Sequence, residues 1–237
     1  MSMWQGAWHI LVYELRKTRW GFLASFLLAI YMAIVLGMLY QINELDVSAG
    51  EYWAIDFVFL TTLPCLGFGL SRSNMFWFND TYSGKLAEWR TMPITVPQII
   101  WGRILQLAVM LFPMQIIFFL IQYFLVDGLS EAISPGAYLL YGLFWFFYSL
   151  GFAATYAIWE YGFTGKTYML VCVLYCIVFL IISALLSFNG ISIVNYSLIG
   201  IGNGEWWYLL VGMLVSMIGI TISYRGLKHR LETRSFK

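Results

Sequence analysis

Six apolar stretches, each about as long as a bilayer crossing, constrain the fold of this chain more than any other sequence feature. They are residues 21–42, 52–70, 99–126, 137–159, 168–187 and 206–224. A helix needs about 20 apolar residues to cross the hydrocarbon core, where it also pairs its own backbone polar groups. Charged residues make up only 11% of the 237, too few for a water-soluble globule. The sequence therefore predicts an all-α membrane protein with six transmembrane helices in a single domain, residues 1–237.

The basic residues predict how these helices are oriented. The 13 Lys and Arg residues form four groups: Arg16, Lys17, Arg19; Arg72, Lys85, Arg90, Arg103; Lys166; and Arg225, Lys228, Arg230, Arg234, Lys237. The alternate connectors carry acids instead: Glu44, Asp46, Glu51, Asp127, Glu131 and Glu205. Because lysine and arginine accumulate in cytoplasmic loops, we expect an even number of spans and cytoplasmic termini. Residues 225–237 would form a basic cytoplasmic tail.

The overall charge narrows the class of partner. The net charge is +1, so there is no broad basic field of the kind that attracts nucleic acid. The cations lie instead where the chain meets the membrane surface, and anionic lipid headgroups attract them there. We therefore expect membrane lipids, and no nucleic acid, among the partners.

Residues 1–20 form a unit of their own. Apolar side chains recur there at helical spacing: Trp4, Trp8, Leu11, Val12 and Leu15. This pattern predicts an amphipathic helix in the cytoplasmic interface, with a cytoplasmic extension of the first span as the alternative. The first apolar run, with the basic residues that precede it, also resembles a signal peptide. However, the apolar run over 21–40 is longer than the usual 7–15 residues, which favours an uncleaved span.

Two connectors are unusual. The cytoplasmic connector 71–98 contains good helix formers over 85–92, and Pro93 should end any helix there. This predicts a short helix parallel to the membrane before the third span. The outer connector 188–205 is apolar and carries no lysine or arginine. It is expected to dip back into the outer leaflet as short re-entrant helices that pack against protein.

Few residues in the spans are polar, and those few are candidates for a substrate path. Asp56 lies about one turn inside the second span, where an acid is either hydrated at the interface or functional. In the third span, Gln115 and Gln122 share a face, and Gln106 points to the opposite one. They either bond neighbouring helices or line a path. Pro113 is expected to kink this helix.

Arg103 and Glu160 are predicted to lie near the cytoplasmic boundary. A long charged side chain at that depth can extend to the water while its aliphatic part remains in the lipid. The sequence therefore assigns these two residues to the membrane surface and gives them no role in the interior.

The sequence offers no support for catalysis or for a cofactor on this chain. Its two histidines, His9 and His229, both lie at predicted cytoplasmic ends. The triplet 165–167 reads GKT, but a phosphate-binding loop would need glycine where Glu160 stands. Three cysteines, Cys65, Cys172 and Cys176, occur inside apolar runs without ligand partners nearby and are expected to pack. We expect no catalytic, cofactor or metal site, so any ATP must bind another chain.

At the level of architecture and motif, the chain resembles permeases of the type 2 ABC exporter family. The shared plan is an interfacial helix, six spans, a longer cytoplasmic connector after span two and re-entrant helices before span six. The most specific segments are 84–95, reading GKLAEWRTMPIT, and 98–103, reading QIIWGR. Family members often have a Gly-Thr-Leu-Glu run, then a stretch ending in Pro with Val or Ile and Ser or Thr, and a Gly-Lys pair opening span three.

The chain departs from this pattern at several positions. Lys85 replaces the small polar residue after the glycine, and Ala87 separates the Leu-Glu pair. Arg103 replaces the lysine. Asp80 occupies a place similar to that of the acid that often precedes the glycine.

The resemblance implies that residues 85–92 are a coupling helix seated in a groove of a separate ABC ATPase subunit. The polar contacts would come from Lys85, Glu88 and Arg90. The apolar anchors would be Leu86 and Trp89. ATP would bind the ATPase, and a second permease chain, identical or related, would close the pathway. The setting implied is the plasma membrane of a bacterium. The cargo would be a peptide, an antibiotic or a lipid-like amphipathic molecule.

A second function remains open at this point. A multi-span membrane protein without transport activity, such as an assembly factor or a sensor, has the same composition and helix pattern. An intramembrane enzyme is disfavoured because no catalytic cluster stands out. Co-purification of an ATP-binding subunit separates the first two possibilities.

Overall fold

The computed structural model describes residues 2–17, 19–45, 52–68, 86, 89 and 93–233. Over these residues the chain forms α-helices and no β-strand. The helices are α1 (Met3–Lys17), α2 (Arg19–Leu45), α3 (Tyr52–Cys65), α4 (Val96–Leu125), α5 (Leu129–Ala132), α6 (Pro135–Gly162), α7 (Gly165–Phe188), α8 (Ile193–Gly202) and α9 (Trp207–Thr233). The all-α class predicted from the apolar stretches is confirmed.

Five of the described helices are long and apolar enough to cross a membrane, which makes the chain a multi-pass membrane protein. They are α2 over Trp20–Leu39, α4, α6, α7 and α9. Each coincides with one of the stretches identified in the sequence. Helix α9 continues to Thr233, so the described part of the expected tail is helical rather than a loose extension.

The second expected span, residues 52–70, is much shorter than the other five. Helix α3 has 14 residues, or about 21 Å of helix, against a hydrocarbon core of about 30 Å. Residues 69 and 70 lie outside the described part. Among the described residues, the second span of the predicted layout is therefore a short apolar helix, shorter than a full crossing.

Pro64, in the last turn of α3, explains one contact between this short helix and α6. Proline has no N–H, so the carbonyl of Leu60 loses its normal intrahelical partner. The hydroxyl of Tyr148 in α6 donates a hydrogen bond to that carbonyl at 3.1 Å. A side chain from the neighbouring helix thus replaces the missing backbone donor and ties α3 to α6.

The N-terminal helix predicted over residues 1–20 is present and packs against the start of α4. Its buried stripe consists of Gly6, Ala7, Ile10, Leu11 and Glu14. A Cβ atom on Gly6 would lie 2.5 Å from the side-chain amide of Gln98, so a larger residue there would require the Gln98 side chain to move. Trp4 and Trp8 are more than half exposed and lie outside this buried stripe, so the predicted placement of this helix in the membrane interface stays a prediction.

Contacts between side chains show that the first and last helices meet at one end of the bundle. Trp101 of α4 packs against Trp4 of α1, with ring centroids 5.2 Å apart, and against Tyr224 of α9 at 6.0 Å. We call this the α1 end. Arg103 lies there, and Arg230 stacks on Phe163 just after α6.

The opposite end of the bundle, which we call the α8 end, holds the start of α3 and the short helix α8. Helices α3 and α6 run in the same direction, because Phe59 packs on Trp145 and Phe68 packs on Tyr156. Asp56 near the start of α3 is therefore remote from Glu160 near the end of α6. The connector expected to contain re-entrant helices has one described helix, α8, which packs against α3 and α6.

Helices α6 and α9 pack closely along a stripe of small residues. A Cβ atom on Gly219 would lie 2.3 Å from the backbone oxygen of Gly151, and one on Gly151 would lie 2.7 Å from the oxygen of Val215. Ser216 and Ser223 continue the stripe on α9 and are buried. Small residues let helix backbones approach closely in membranes, where dispersion contacts rather than water exclusion stabilise the pair.

Candidate functional site

A buried ion pair joins α4 and α6 at the α1 end. The guanidinium of Arg103 donates from Nε to Oε2 of Glu160 and from Nη2 to Oε1, both at 2.9 Å. Its Nη1 donates to Oε1 of Gln106 at 2.9 Å. The two charged side chains are 3% and 5% exposed. The expectation that Arg103 and Glu160 extend to water is therefore wrong, because the two helices bring them together in the interior.

This geometry is the strong form of a salt bridge. Two parallel N–H···O bonds match the planar guanidinium to the carboxylate, and Gln106 satisfies a further donor. The guanidinium also lies 5.7 Å from the ring centroid of Tyr161. We call Arg103, Gln106, Glu160 and Tyr161 the Arg103 cluster. Its charges are compensated inside the cluster, so it fixes the position of α4 relative to α6.

The segment that resembles a coupling helix meets the bundle at this cluster. Leu86 and Trp89 are 2% and 6% exposed and belong to the hydrophobic core. The ring of Trp89 packs edge-on against Tyr161, with centroids 6.4 Å apart. The expected role of Leu86 and Trp89 as apolar anchors for a second subunit needs correcting, because their side chains are already covered by this chain. Lys85, Glu88 and Arg90 lie outside the described residues.

Asp56 is fully buried and lies at the start of α8. Its carboxylate accepts hydrogen bonds from the Ser192 hydroxyl at 2.9 Å and from the backbone N–H groups of Ile193 and Val194 at 3.0 Å. The first N–H groups of a helix lack intrahelical partners and carry a partial positive charge. Asp56 is thus neither a hydrated interfacial acid nor an open polar group, since it holds α8 against α3.

The two glutamines that share a face of α4 occupy different surroundings. Gln115 is 2% exposed, and its Nε2 donates to the Ser149 hydroxyl of α6 at 2.7 Å. Gln122 lines a small void of about 20 Å³ near α8. Asp56 lines neither this void nor the groove beside Gln115. Neither of these two cavities therefore contains all three proposed path residues.

A groove of about 520 Å³ lies between α4 and α6, on the outer surface of the bundle. Its floor includes Gln115 and Phe119, and Gly142 leaves space there because it has no side chain. The rim includes Phe112 and Phe124, which are 49% and 76% exposed. The lining is aromatic and aliphatic except for the amide of Gln115 and the two tyrosines Tyr123 and Tyr138.

Sequence reasoning missed the Arg103 cluster and the partner of Asp56. Arg103 and Glu160 are 57 residues apart, and no periodic pattern relates positions on two helices. For Asp56 a local signal existed. Ser192 is a good N-cap, and its hydroxyl accepts a hydrogen bond from the N–H of Asn195. This predicts the start of α8 but does not say which acid lies beside it.

Comparisons with protein-family models, with curated proteins and with solved structures find no significant match to this chain. Among the residues that the structure describes, no group of three His, Cys, Asp or Glu side chains is placed to hold a metal ion.

Proposed function

We propose that this chain is the membrane permease subunit of an ATP-binding cassette exporter. A separate ATPase subunit would bind and hydrolyse ATP, and two permease chains, identical or related, would enclose the pathway. The membrane would be the bacterial plasma membrane, with both termini in the cytoplasm. The cargo would be an amphipathic molecule such as a peptide, an antibiotic or a lipid-like compound.

The observation that carries this proposal is the contact between Trp89 and the Arg103 cluster. A segment that transmits motion must be attached to the helices that it moves. Leu86 and Trp89 are buried in the bundle, and Trp89 packs on Tyr161 beside the ion pair that joins α4 to α6. A displacement of this segment would therefore act on both helices together.

The polar residues of the same segment remain candidates for the contact with the ATPase. On the helix that the sequence predicts over 85–92, Leu86 and Trp89 share a face because they are three residues apart. Lys85 and Arg90 would flank this face, because they are four residues from Trp89 and Leu86, and Glu88 would lie farther round the helix. With the apolar face packed on the bundle, Lys85, Glu88 and Arg90 would supply the directional contacts to a second subunit.

Co-purification tests the proposal. The tagged chain is expected to retain an ATP-binding subunit, and the double variant Glu88→Ala/Arg90→Ala is expected to lose most of it. The matched control removes an acid and a base from the exposed end of α9, Lys228→Ala/Glu232→Ala. That control should retain the subunit. Retention of the ATPase by the first double variant would exclude this segment as the contact, and absence of any ATP-binding partner would favour a non-transporting role.

The orientation has its own test. In a chain whose native cysteines are replaced by alanine, a cysteine at exposed Ser130 is expected to react with an impermeant thiol reagent from outside intact cells. A cysteine at exposed Lys228 should react only after the membrane is opened. The reverse pattern would place both termini outside and contradict the proposed topology.

A further inference from the structure

The two ends of the short helix α8 are held in different ways. At its C-terminal end, a Cβ atom on Gly200 would collide with the ring of Tyr208, so α8 packs directly on α9 there. Gly204 then closes the helix with a φ of +88°, and the N–H of Glu205 donates to the carbonyl of Gly200 at 3.0 Å. The contact with Tyr208 and this turn fix the C-terminal end of α8 in place.

The start of α8 is held by one side chain of α3. The Ser192 hydroxyl and the N–H groups of Ile193 and Val194 all donate to the Asp56 carboxylate, at 2.9–3.0 Å. Because the three hydrogen bonds share one acceptor, the loss of Asp56 removes them together. Gly190, which joins this end to α7, has a φ of +70° and no atom within 4 Å of the place that a Cβ would occupy. The start of α8 thus has room to move once it separates from Asp56.

The space beneath α8 is incompletely filled. Val194 and Leu198 of α8 line the void of about 20 Å³, together with Gln122 of α4 and the tyrosines Tyr138 and Tyr141 of α6. This void is large enough for about one water molecule. Atoms that line a void have lost dispersion contacts on that side. Lifting α8 therefore breaks fewer contacts than lifting a fully packed helix, and it exposes Gln122.

We propose that α8 is a lid, hinged at Gly204 and latched by Asp56, that closes the space between α3, α4 and α6 at the α8 end. When the hydrogen bonds to Asp56 break, the start of α8 swings away from α3 and water reaches Gln122. Two residues predicted for a substrate path thereby have separate roles, since Asp56 holds the lid and Gln122 lies beneath it. As the exit of a cargo path, the lid rests on the proposed exporter function, whereas its opening does not.

Thiol labelling beneath the lid tests the proposal. The full chain, with its native cysteines replaced by alanine, carries Gln122→Cys in phosphatidylcholine nanodiscs. A small impermeant methanethiosulfonate is added, and mass spectrometry follows the labelling of position 122. Adding Asp56→Ala should raise the rate there by about tenfold or more, because three donors lose their acceptor. Asp56→Asn keeps one acceptor oxygen and should give an intermediate rate.

Two matched controls separate opening of the lid from other effects. Glu205→Ala removes another acid from the α8 end, one whose carboxylate accepts a hydrogen bond from Trp207. It should leave the rate at position 122 unchanged. Gln115→Cys places the reporter two turns farther along α4, where the native amide donates to Ser149 of α6. This reporter should not react faster when Asp56→Ala is added.

Three results would overturn the proposal. An unchanged rate at position 122 after Asp56→Ala would make α8 a fixed part of the bundle. Equal acceleration at positions 115 and 122 would mean that the whole bundle opens. Equal acceleration by Glu205→Ala would show that any acid at this end has the same effect. Because no ATPase takes part, failure here leaves the subunit co-purification unaffected, and the converse holds as well.

Discussion

Two buried carboxylates, Glu160 and Asp56, lie at opposite ends of the bundle and are stabilised by different partners. Glu160 faces the guanidinium of Arg103 across two helices, whereas Asp56 accepts hydrogen bonds from Ser192 and from the backbone at the start of α8. The first carboxylate compensates a full charge. The second compensates partial charges at a helix terminus.

This difference determines what each carboxylate stabilises. Removing Glu160 would leave a full positive charge in the interior between two long helices, so the cost falls on the whole bundle. Removing Asp56 would leave neutral N–H and O–H groups unpaired on a short helix near the surface. Its cost would fall mainly on α8, which can open locally. We call the Arg103 cluster the global tie, because it stabilises the whole bundle. We call Asp56 the local tie, because it mainly stabilises α8.

The largest expected effect follows from breaking the global tie. Glu160→Leu should destabilise the chain by about 3–5 kcal/mol, because it leaves Arg103 buried without its counter-charge. The measurement is the unfolding midpoint and the monodisperse yield in detergent. The double variant Arg103→Met/Glu160→Leu should recover most of the loss, since it removes both charges. A double variant as unstable as the single one would show that the pair is not a charge-compensated unit.

A smaller effect is expected at the local tie. Asp56→Ala leaves three donors unpaired at the start of α8, at a cost of about 1–3 kcal/mol. Hydrogen exchange should rise about tenfold or more across residues 192–202 and little in α6. Asp56→Asn keeps one acceptor oxygen and should fall in between. Uniform acceleration across the bundle would remove the distinction between local and global ties.

The smallest effect is expected at an uncharged contact, the hydrogen bond from Tyr148 to the carbonyl of Leu60. Tyr148→Phe removes the single hydrogen bond to the Leu60 carbonyl beside Pro64 and should cost about 1 kcal/mol. Tyr196→Phe, on an exposed residue of α8, is the matched control and should change little. The unfolding midpoint in detergent is the measurement. Equal midpoints for the two variants would mean that Leu60 finds another donor.

The sequence predicted the helices better than their contacts, for a physical reason. Long apolar runs specify membrane helices through length and composition, and five of six expected spans are present. The described helix of the second ends just after Pro64, which has no backbone N–H to donate. Interior partners depend on which helix faces meet, and the apolar pattern of each helix does not show this.

Arg103 and Glu160 show why contacts between helices are harder to predict than the helices themselves. Each lies close to a predicted span end, so exposure to water was the reasonable expectation for either residue alone. Both are buried because α4 is covered by α1 on one side and by α6 on another. Gln106 and Gln115 of α4 point in opposite directions, yet both are buried, because α4 is covered on more than one side. The central position of α4 results from the packing of its neighbours, which the apolar pattern of α4 alone does not show.

The stripe of small residues between α6 and α9 has a mechanical consequence. Because the Gly151 and Gly219 backbones approach more closely than a Cβ atom on either residue would allow, we expect α6 and α9 to move together as one unit. Any rearrangement of this protein must then occur along softer boundaries. Helix α7 is one of these, because most of its surface is exposed and it makes few buried contacts. A spectroscopic label near Thr233 would report the tilt of α6 without disturbing its interior.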